Sequence, residues 1–357
     1  MRYAGWAGAP LPPRSVAEGA ALWAPAALLG ATLLWMLRQQ QQRPTLAGQV
    51  ALITGGSRGL GLVLGRELAQ AGCRLVICAR HEAELAAAQA ELARLGAPVL
   101  AIPCDVSDRR QVEQMIERSL AHYGQVDILV NNAGVIQVGP IQAMGLEDFA
   151  RAMDVMYWGT VYTTLALLPH MLARRQGHIV NITSIGGKLA VPHLLPYVAA
   201  KFAATGFSEG LRAELAGQGV TVTTIAPGLM RTGSYTRALF KGNRGGEYSW
   251  FAILSSLPLL TIPAPNAARQ IVEAIRREEA ERVLGWPYQL AARAHGLLPG
   301  LTMGIAGLLA AWLLPAPTPM GQQPVEGRRV EQSLPPSQAR VLGALTTFGR
   351  AAARQYQ

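Results

Sequence analysis

The stretch VALITGGSRGLG, residues 50–61, places a glycine-rich loop directly after a run of apolar residues. Residues 62–72, LVLGRELAQAG, then follow a helical pattern. Glycine at positions 55, 59 and 61 lets the backbone turn tightly and come close to a ligand, and the free N–H groups at the start of a helix attract an anion. A plain turn is the alternative, because a glycine-rich loop without its context is weak evidence. The order of strand, loop and helix favours a cradle for the pyrophosphate of a dinucleotide.

Outward from this loop, short apolar segments alternate with helical patterns along the chain. The segments are RLVICAR (74–80), VLAIPCD (99–105), VDILVNNAG (126–134), HIVNITS (178–184) and VTVTTIAPG (220–228). Runs that are apolar throughout are typical of parallel strands whose two faces are both covered. The succession therefore predicts an α/β fold with a parallel sheet between two layers of helices.

The composition limits the class of protein. Half of the 357 residues are hydrophobic, which is enough for a large core, and the formal net charge is +10. Much of the positive charge lies in residues 1–43 and 316–357, beside apolar runs. This placement fits an anionic membrane surface better than nucleic acid, for which the chain has no binding motif. The three cysteines match neither a disulfide framework nor a metal site, so we expect no metal and a reducing compartment.

Two uncharged apolar runs flank the predicted sheet. As a helix, residues 19–37 would be about 28 Å long and match the hydrocarbon core of a bilayer, so we expect a membrane anchor there, with a buried core helix as the alternative. The second run, Leu297–Leu314, is expected either to span the membrane or to lie at its interface. The predicted parts are the tail and anchor (1–43), the catalytic domain (44–290), a second membrane-associated segment (291–315) and a linker with a short C-terminal helix (316–357).

The hexapeptide PYVAAK, residues 196–201, places Tyr197 and Lys201 four positions apart. On a helix these side chains share a face, where a phenol and an ammonium group can cooperate in proton transfer. A tyrosine pKa near 10 has to fall by about 3 units for the phenol to act as a base at neutral pH, and one cation at about 4 Å supplies energy of that order. Packing, or a solvated surface pair, is the alternative at this spacing.

The end of the second predicted strand bears on the choice of cofactor. NAD-binding units usually place a carboxylate there for the ribose 2′-hydroxyl, whereas this chain has Ala79 and Arg80, and its glycine loop contributes Arg58. Two guanidinium groups suit a 2′-phosphate, which favours NADP, while Glu82 keeps NAD open. Asp105, at the end of the third strand, is expected either to accept from an adenine amine or to help cap the following helix.

Together these motifs resemble the short-chain dehydrogenase/reductase family over roughly residues 46–290. The resemblance rests on TGGSRGLG for TGxxxGxG, CDVSD, NNAG, Ser184 thirteen positions before Tyr197, YVAAK for YxxxK, and APGLMRT. It implies a Rossmann-type, doubly wound parallel sheet in a single catalytic domain, and reversible hydride transfer between a nicotinamide and an alcohol or ketone. With the predictions above, the cofactor-binding residues are Thr54, Gly55, Ser57, Arg58, Gly59, Leu60, Gly61, Arg80, Asp105, Val106, Asn132, Ala133, Gly134, Tyr197, Lys201, Pro227, Gly228 and Thr232.

The resemblance also implies roles in catalysis. Ser184 is implied to hold the substrate oxygen and Tyr197 to act as the acid and base. Lys201 is implied to bind the nicotinamide ribose and to lower the tyrosine pKa, and Thr232 to contact the carboxamide. Met156 departs from the pattern, because the family usually has there an asparagine that is implied to hold a water linking the lysine to solvent. A thioether accepts only weakly and donates nothing, so we expect reduced rather than absent turnover.

The segment Ser234–Pro263 follows the APGLMRT motif, where the family has a variable cover over the substrate. Its aromatic and aliphatic residues, together with the expected anchor, point to a lipophilic alcohol or ketone such as a sterol, a retinoid-like compound or a long-chain lipid. Packing on the core or contact with the bilayer is the alternative for these residues. His193 is expected either to line the pocket or to lie at the surface.

A membrane-anchored NADP-binding sensor or scaffold with little turnover is the alternative function. Met156 favours it, whereas the intact serine, tyrosine and lysine argue for an enzyme. The family also implies a homodimer or a homotetramer. Because arginine greatly outnumbers lysine, as in proteins of GC-rich bacteria, the expected location is a bacterial inner membrane with the catalytic domain in the cytoplasm.

Overall fold

Seven parallel strands form the central sheet in the computed structural model of the chain, which describes residues 45–318 and 321–357. In chain order the strands are β1 (Val50–Thr54), β2 (Arg74–Ala79), β3 (Val99–Pro103), β4 (Ile128–Asn131), β5 (Gln137–Val138), β6 (Gly177–Ile182), β7 (Val220–Pro227), β8 (Met230–Arg231), β9 (Leu239–Phe240), β10 (Ile262–Pro263), β11 (Glu281–Leu284) and β12 (Val325–Glu326). The α-helices are α1 (Gly59–Gln70), α2 (Glu82–Ala93), α3 (Arg109–Tyr123), α4 (Leu146–Met153), α5 (Gly159–Arg174), α6 (Leu195–Glu214), α7 (Arg244–Leu254), α8 (Ala264–Arg276), α9 (Trp286–Leu297), α10 (Pro299–Leu313), α11 (Gly327–Ser333), α12 (Pro336–Leu345) and α13 (Thr347–Tyr356). The predicted α/β class and Rossmann-type parallel sheet are confirmed.

The strand order of the central sheet is β11-β7-β6-β4-β1-β2-β3, so the chain changes its direction across the sheet after β3. β1 pairs with β2 on one side and with β4 on the other, and Ile53 is in register with both Ile77 and Val130. At such a switch point a crevice opens outside the carboxyl ends of the strands. The glycine loop, which follows β1, and the stretch that follows β4 both begin at this crevice.

Helices cover both faces of the sheet. All five residues of β1 are buried. On one face α1 and α8 pack together through residues such as Leu64 and Ile271, and on the other face α3 and α5 pack through residues such as Met115 and Leu167. Because neither face meets water, the strands are apolar throughout rather than alternating, as the sequence shows.

An aromatic cluster lies outside the central sheet, where the segment Ser234–Pro263 meets the last helices. The rings of Phe240 and Tyr248 are edge to face, with centroids 5.4 Å apart. β12 pairs with β9, and α11 to α13 follow it, so residues 321–357 contain a strand and three helices where the sequence predicted a linker and one short helix. The buried members of the cluster are Val138, Leu194, Val198, Tyr235, Ala238, Phe240, Tyr248, Phe251, Ala252, Val330 and Leu342.

The two apolar runs differ in what the structure shows. Residues 19–37 lie outside the described residues. Of the run Leu297–Leu314, Leu297 is the last residue of α9 and Pro299–Leu313 form α10, with Leu298 between the two helices. With 15 residues, α10 is about 22 Å long, short of the roughly 30 Å of a bilayer core. In the described residues no helix has both the length and the apolar character that crossing a membrane requires.

Candidate active site

The first turns of α6 bring the predicted catalytic residues together. Pro196 stands in the first turn, where the N–H that it lacks would have no helical partner, and Tyr197 and Lys201 follow on one face. Lys201 is buried, and its Nζ donates to the carbonyl oxygen of Ile182 at 2.7 Å. The same Nζ lies 5.8 Å from the centre of the Tyr197 ring. Ser184 comes two residues after β6; its hydroxyl accepts from the N–H of Gly186 at 3.0 Å and is near enough to the Tyr197 phenol to lower the pKa of that phenol.

Burial changes the proton affinity of both ionisable groups. It lowers the pKa of Lys201 to about 8. It also raises the pKa of Tyr197 above its ordinary value, against the opposing effect of the nearby Ser184 hydroxyl. The cause is common to both, because surroundings of low dielectric disfavour the ammonium and the phenolate alike. The lowering of the tyrosine pKa that the family pattern implies is therefore opposed by burial in the polypeptide.

Met156 lies in a π-helical turn, Asp154–Trp158, which joins α4 to α5. Its side chain is only 1% exposed, and its carbonyl oxygen accepts from the Thr160 hydroxyl at 2.9 Å. Turns of this kind interrupt the regular helical hydrogen bonds and are frequent at functional sites. Since a carbonyl oxygen has two lone pairs, the backbone of Met156 can accept a second hydrogen bond even though the side chain cannot donate one.

Side chains from two strand ends hold the glycine loop. The hydroxyl of Thr54 accepts from the backbone N–H groups of Asn132 and Ala133, at 2.9 and 3.0 Å. The amide of Asn132 in turn donates to the carbonyl oxygens of Thr54 and Gly55, at 2.9 and 3.2 Å. A side chain at Gly61 would place its Cβ 2.1 Å from the Gly55 carbonyl oxygen. Thr54 and Asn132, both predicted to bind the cofactor, thus use their polar atoms to shape the loop.

The start of α1 fits the pyrophosphate of a dinucleotide. Arg58 precedes the helix in an extended conformation without a side-chain cap, and the first turn contains no acidic residue. Uncapped N–H groups at a helix start are available to an anion, and the helix dipole favours negative charge there. Gly59 has a φ of 56°, in the left-handed region that favours glycine. The residues present therefore suit the pyrophosphate that the sequence predicts.

The guanidinium groups predicted to bind a 2′-phosphate are paired with carboxylates. Arg58 contacts Glu84 of α2 at 2.6 Å, and Arg80 lies 3.8 Å from Asp105. One oxygen of Asp105 accepts two hydrogen bonds from the turn that follows it, at 2.7 and 3.0 Å. Asp108 caps α3, accepting from the first N–H groups of that helix. Of the two roles left open for Asp105, the helix cap is therefore taken by Asp108.

Two residues from distant parts of the chain cover the APGLMRT motif. A Cβ at Gly228 would lie 1.9 Å from the ring of Tyr288 in α9, whose hydroxyl donates to the Leu260 carbonyl oxygen at 2.7 Å. The carbonyl oxygen of the buried Thr232 accepts from the Gln357 side chain at 2.8 Å. Sequence reasoning missed Tyr288 and Gln357, because neither belongs to a motif of fixed spacing.

The other predicted cofactor residues lie at one edge of the sheet. In a parallel sheet the carboxyl ends of the strands share an edge, and Ser184 follows β6 at this same edge. The residues at or just after the carboxyl ends of β1, β3, β4 and β7 are Ser57, Leu60, Val106, Ala133, Gly134 and Pro227.

In residues 45–318 and 321–357, no group of three or more histidine, cysteine, aspartate or glutamate side chains is placed to hold a metal ion.

His193 anchors the segment that covers the site. It is partly buried, with a φ of 61°, and its Nδ1 lies 2.8 Å from a carboxylate oxygen of Glu247. Glu247 is fully buried and accepts from the indole N–H of Trp250 through its second oxygen, at 2.7 Å. The imidazole thus links α7 to the loop before α6. The sequence left open whether His193 lines the pocket or lies at the surface, and the structure gives it this linking contact instead.

Known proteins resemble this chain in sequence and in structure. A family model described as short chain dehydrogenase matches residues 49–240. A dehydrogenase/reductase SDR family protein 7-like from Anopheles gambiae is 35% identical over 272 residues, which are 74% of this chain and 84% of that protein. A fatty acyl-CoA reductase from Acinetobacter baylyi is 36% identical over 192 residues, 53% of this chain and 65% of that protein. A short chain dehydrogenase/reductase from Burkholderia phymatum, solved in complex with NAD, has a TM-score of 0.67 and 26% identity, covering 72% of this chain and 96% of that one.

The family match includes every catalytic residue described above, from the glycine loop to β9. The fold, the meeting of Ser184, Tyr197 and Lys201, and the similar proteins all indicate an oxidoreductase that acts on CH–OH or C=O groups with a nicotinamide cofactor. The chain belongs to the short-chain dehydrogenase/reductase family.

Proposed function

We propose that this protein is an NADP-dependent oxidoreductase that interconverts a lipophilic alcohol and its carbonyl compound at a membrane surface. The observation that carries the proposal is the crevice itself, with Ser184, Tyr197 and Lys201 at one end and Arg58 and Arg80 at the other. The first group suits a reacting nicotinamide and substrate, and the second suits a phosphorylated ribose.

Tyr197 is the residue that moves the proton. For reduction of a carbonyl group, its phenol donates a proton to the substrate oxygen, and burial favours the protonated phenol that this step needs. The hydroxyl of Ser184 lies near the phenol and can donate to the same substrate oxygen. Lys201, with a pKa lowered to about 8, is still mostly protonated at neutral pH, and its charge stabilises the phenolate that the step leaves. A nicotinamide, when bound, supplies or accepts the hydride.

The end of β2 supports NADP. Ala79 and Arg80 offer no carboxylate to a ribose 2′-hydroxyl, whereas guanidinium groups match a phosphate in charge and geometry. Glu82, which keeps NAD open in the sequence, is exposed in the first turn of α2, where a negative charge is favourable to the helix itself. An NADP preference follows from these residues.

The helices α9 and α10 support a membrane surface. They are joined by a 2.8 Å contact between His295 and Thr302, and neither helix has a buried residue. Trp286 and Trp312, near the two ends of the pair, are 75% and 85% exposed. Apolar helices of this kind suit lipid, and tryptophan is enriched where a membrane meets water.

The same helices adjoin the cover of the site. Tyr288 of α9 packs on Gly228 and is bonded to Leu260, and the neighbouring Leu259 is 90% exposed. A lipophilic substrate held in the bilayer would therefore lie close to the crevice, which supports a lipid as substrate, as does the name of the similar fatty acyl-CoA reductase. A bacterial inner membrane with the catalytic domain in the cytoplasm is part of the proposal, and the homodimer or homotetramer stays a prediction.

The substrate class is tested with a membrane lipid extract. The full chain, purified in detergent, is incubated with NADPH and the extract, and the lipids are followed by mass spectrometry, with Tyr197→Phe as the control. We expect carbonyl lipids to be consumed by the parent protein and not by the variant. If the parent turns over water-soluble ketones and leaves every lipid unchanged, the lipophilic substrate is wrong.

The membrane contact is tested separately by tryptophan fluorescence. The full chain is placed in vesicles that contain brominated phosphatidylcholine, which quenches tryptophan at the membrane. We expect Trp312→Phe to remove part of the quenching and Trp158→Phe, a residue 42% exposed in the π-helical turn, to leave it unchanged. Equal quenching in the parent and in Trp312→Phe would contradict a membrane position for α10.

A further inference from the structure

A third guanidinium group joins the adenosine end of the crevice. Arg237 lies in the covering segment, between the short turn Ser234–Thr236 and β9. It contacts one oxygen of Glu84 at 2.8 Å, while Arg58 contacts the other oxygen at 2.6 Å. One carboxylate of α2 therefore lies between two guanidinium groups, one from the glycine loop and one from the cover.

Hydrogen bonds on both sides of Arg237 fix the position of its backbone. Its N–H donates to the Ser234 carbonyl oxygen at 3.0 Å. The next residues form β9, which pairs with β5 on one side and with β12 on the other. Its guanidinium also contacts Glu326 of β12 at 3.1 Å. Within the part of the chain that the structure describes, the buried Nε of Arg237 has no hydrogen-bond partner, so one donor of the fork is not used by the two carboxylates.

The three guanidinium groups are close enough to affect one another. The pKa of Arg58 is lowered chiefly by burial, and the charges of Arg237 and Arg80 act in the same direction while Glu84 opposes them. Each guanidinium has a carboxylate nearby, so the cluster is neutral overall. A dianion placed among the three groups would be attracted by all of them and would compete with Glu84 for the same donors.

We infer that Arg237 is a third determinant of 2′-phosphate binding, and that the carboxylate of Glu84 holds Arg58 and Arg237 at the place which phosphate oxygens take. This inference rests on the proposed preference for NADP. It adds that the choice of cofactor is made partly by the segment that covers the substrate. Because Tyr235 and Phe240 on either side of Arg237 belong to the aromatic cluster, a phosphate that holds Arg237 also fixes the cover.

The test is the binding of NADP+ and NAD+, measured by calorimetry on the full chain. We expect Arg237→Gln to weaken NADP+ at least 10-fold and to change NAD+ less than 2-fold, since one charge-assisted hydrogen bond to the phosphate is worth about a factor of 10 to 100. Arg277→Gln is the matched control, because Arg277 pairs with Glu273 on the exposed side of α8. Unchanged NAD+ binding shows that the variant is folded. Arg237→Lys, which keeps the charge and loses the planar fork, should lie between the parent and Arg237→Gln.

Two results would overturn the inference. If the parent prefers NADP+ and Arg237→Gln keeps that preference while Arg58→Gln loses it, Arg237 has no part in phosphate binding and the proposed function stands. If Arg237→Gln weakens NADP+ and NAD+ equally, its role is structural. A parent that binds both dinucleotides equally contradicts the proposed NADP preference itself, so the two failures are distinguishable.

Discussion

The two ends of the crevice treat charge in opposite ways. At the catalytic end, Lys201 is buried with a carbonyl oxygen as its hydrogen-bond partner, and burial lowers its pKa to about 8. At the adenosine end, the side chains of Arg58 and Arg237 are 30% and 26% exposed, and both contact the carboxylate of Glu84. Burial brings the pKa of Lys201 close to neutral pH, so this group can exchange a proton. Arg58 and Arg237 stay charged, and a phosphate could replace Glu84 as their partner. Catalysis and cofactor choice should therefore respond to different substitutions.

Tyr197→Phe separates the two ends most strongly. The variant loses the proton donor and keeps the guanidinium cluster, so we expect kcat to fall by about 1,000-fold while the affinity for NADPH changes less than about 3-fold. Steady-state kinetics and a fluorescence titration of NADPH measure the two quantities. An equal loss of both would mean that the phenol holds the cofactor rather than moving a proton.

Arg58→Ala should give the reverse pattern. Arg58 lies in the glycine loop, where Glu84 holds its guanidinium at 2.6 Å. We expect Arg58→Ala to weaken NADP+ binding by about 30-fold, because a guanidinium forms strong hydrogen bonds to a phosphate, and to leave kcat at saturating cofactor nearly unchanged. Arg80 is half exposed and 3.8 Å from Asp105, so Arg80→Ala should cost only about 5-fold. Dissociation constants for NADP+ and NAD+ measure both effects. A larger effect of Arg80 than of Arg58 would reverse this order.

The buried lysine should leave a mark on stability. Up to about pH 10.5 the unfolded chain keeps the Lys201 proton, whereas the native protein releases it near pH 8. Between these values the parent gains stability as the pH rises, relative to Lys201→Met. From about pH 7 to about pH 9.5 the gain should be about 2 kcal/mol. Urea unfolding of both proteins without added cofactor measures it, and parallel pH profiles would show that Lys201 is not held in a low-dielectric site.

Met156→Asn should produce the smallest effect. The amide can hold a water that the thioether cannot, so we expect kcat to rise a few-fold. We also expect unfolding to become easier by about 1 to 2 kcal/mol, because the position is buried. Met156→Leu, which keeps an apolar side chain, serves as the control and should match the parent. A rate that is unchanged in Met156→Asn at every pH would show that the carbonyl oxygen of the π-helical turn already suffices.

The catalytic end and the glycine loop could be predicted from the sequence because their geometry is local. Tyr197 and Lys201 are four residues apart on one helix, and the glycines at 55, 59 and 61 lie close together in sequence, in the loop after β1 and in the first turn of α1. Such spacings fix positions whatever the rest of the chain does. The apolar segments could likewise be predicted to form buried parallel strands, because the apolar character of each segment is visible in its own sequence.

The adenosine end could be predicted only in part. Arg58 and Arg80 follow recognisable strands, but Arg237 and Glu84 are 153 positions apart and meet only because the cover folds over the crevice. The start of α10 at Pro299, directly after α9 ends at Leu297, was also beyond the hydropathy pattern, since apolar character alone does not reveal that the helix is interrupted at Leu298. Long-range packing decides these contacts, and no local period encodes it.

Above all, we expect Tyr197 and its neighbours to drive hydride transfer from NADPH to a lipid carbonyl. The most direct test uses NADPH that carries deuterium at both C4 positions of the nicotinamide, incubated with the full chain and a membrane lipid extract. We expect deuterium on the carbinol carbon of a lipid alcohol with the parent protein, and none with Tyr197→Phe at equal NADPH occupancy. Deuterium in lipid products of both proteins, or in neither while NADPH is bound, would contradict it.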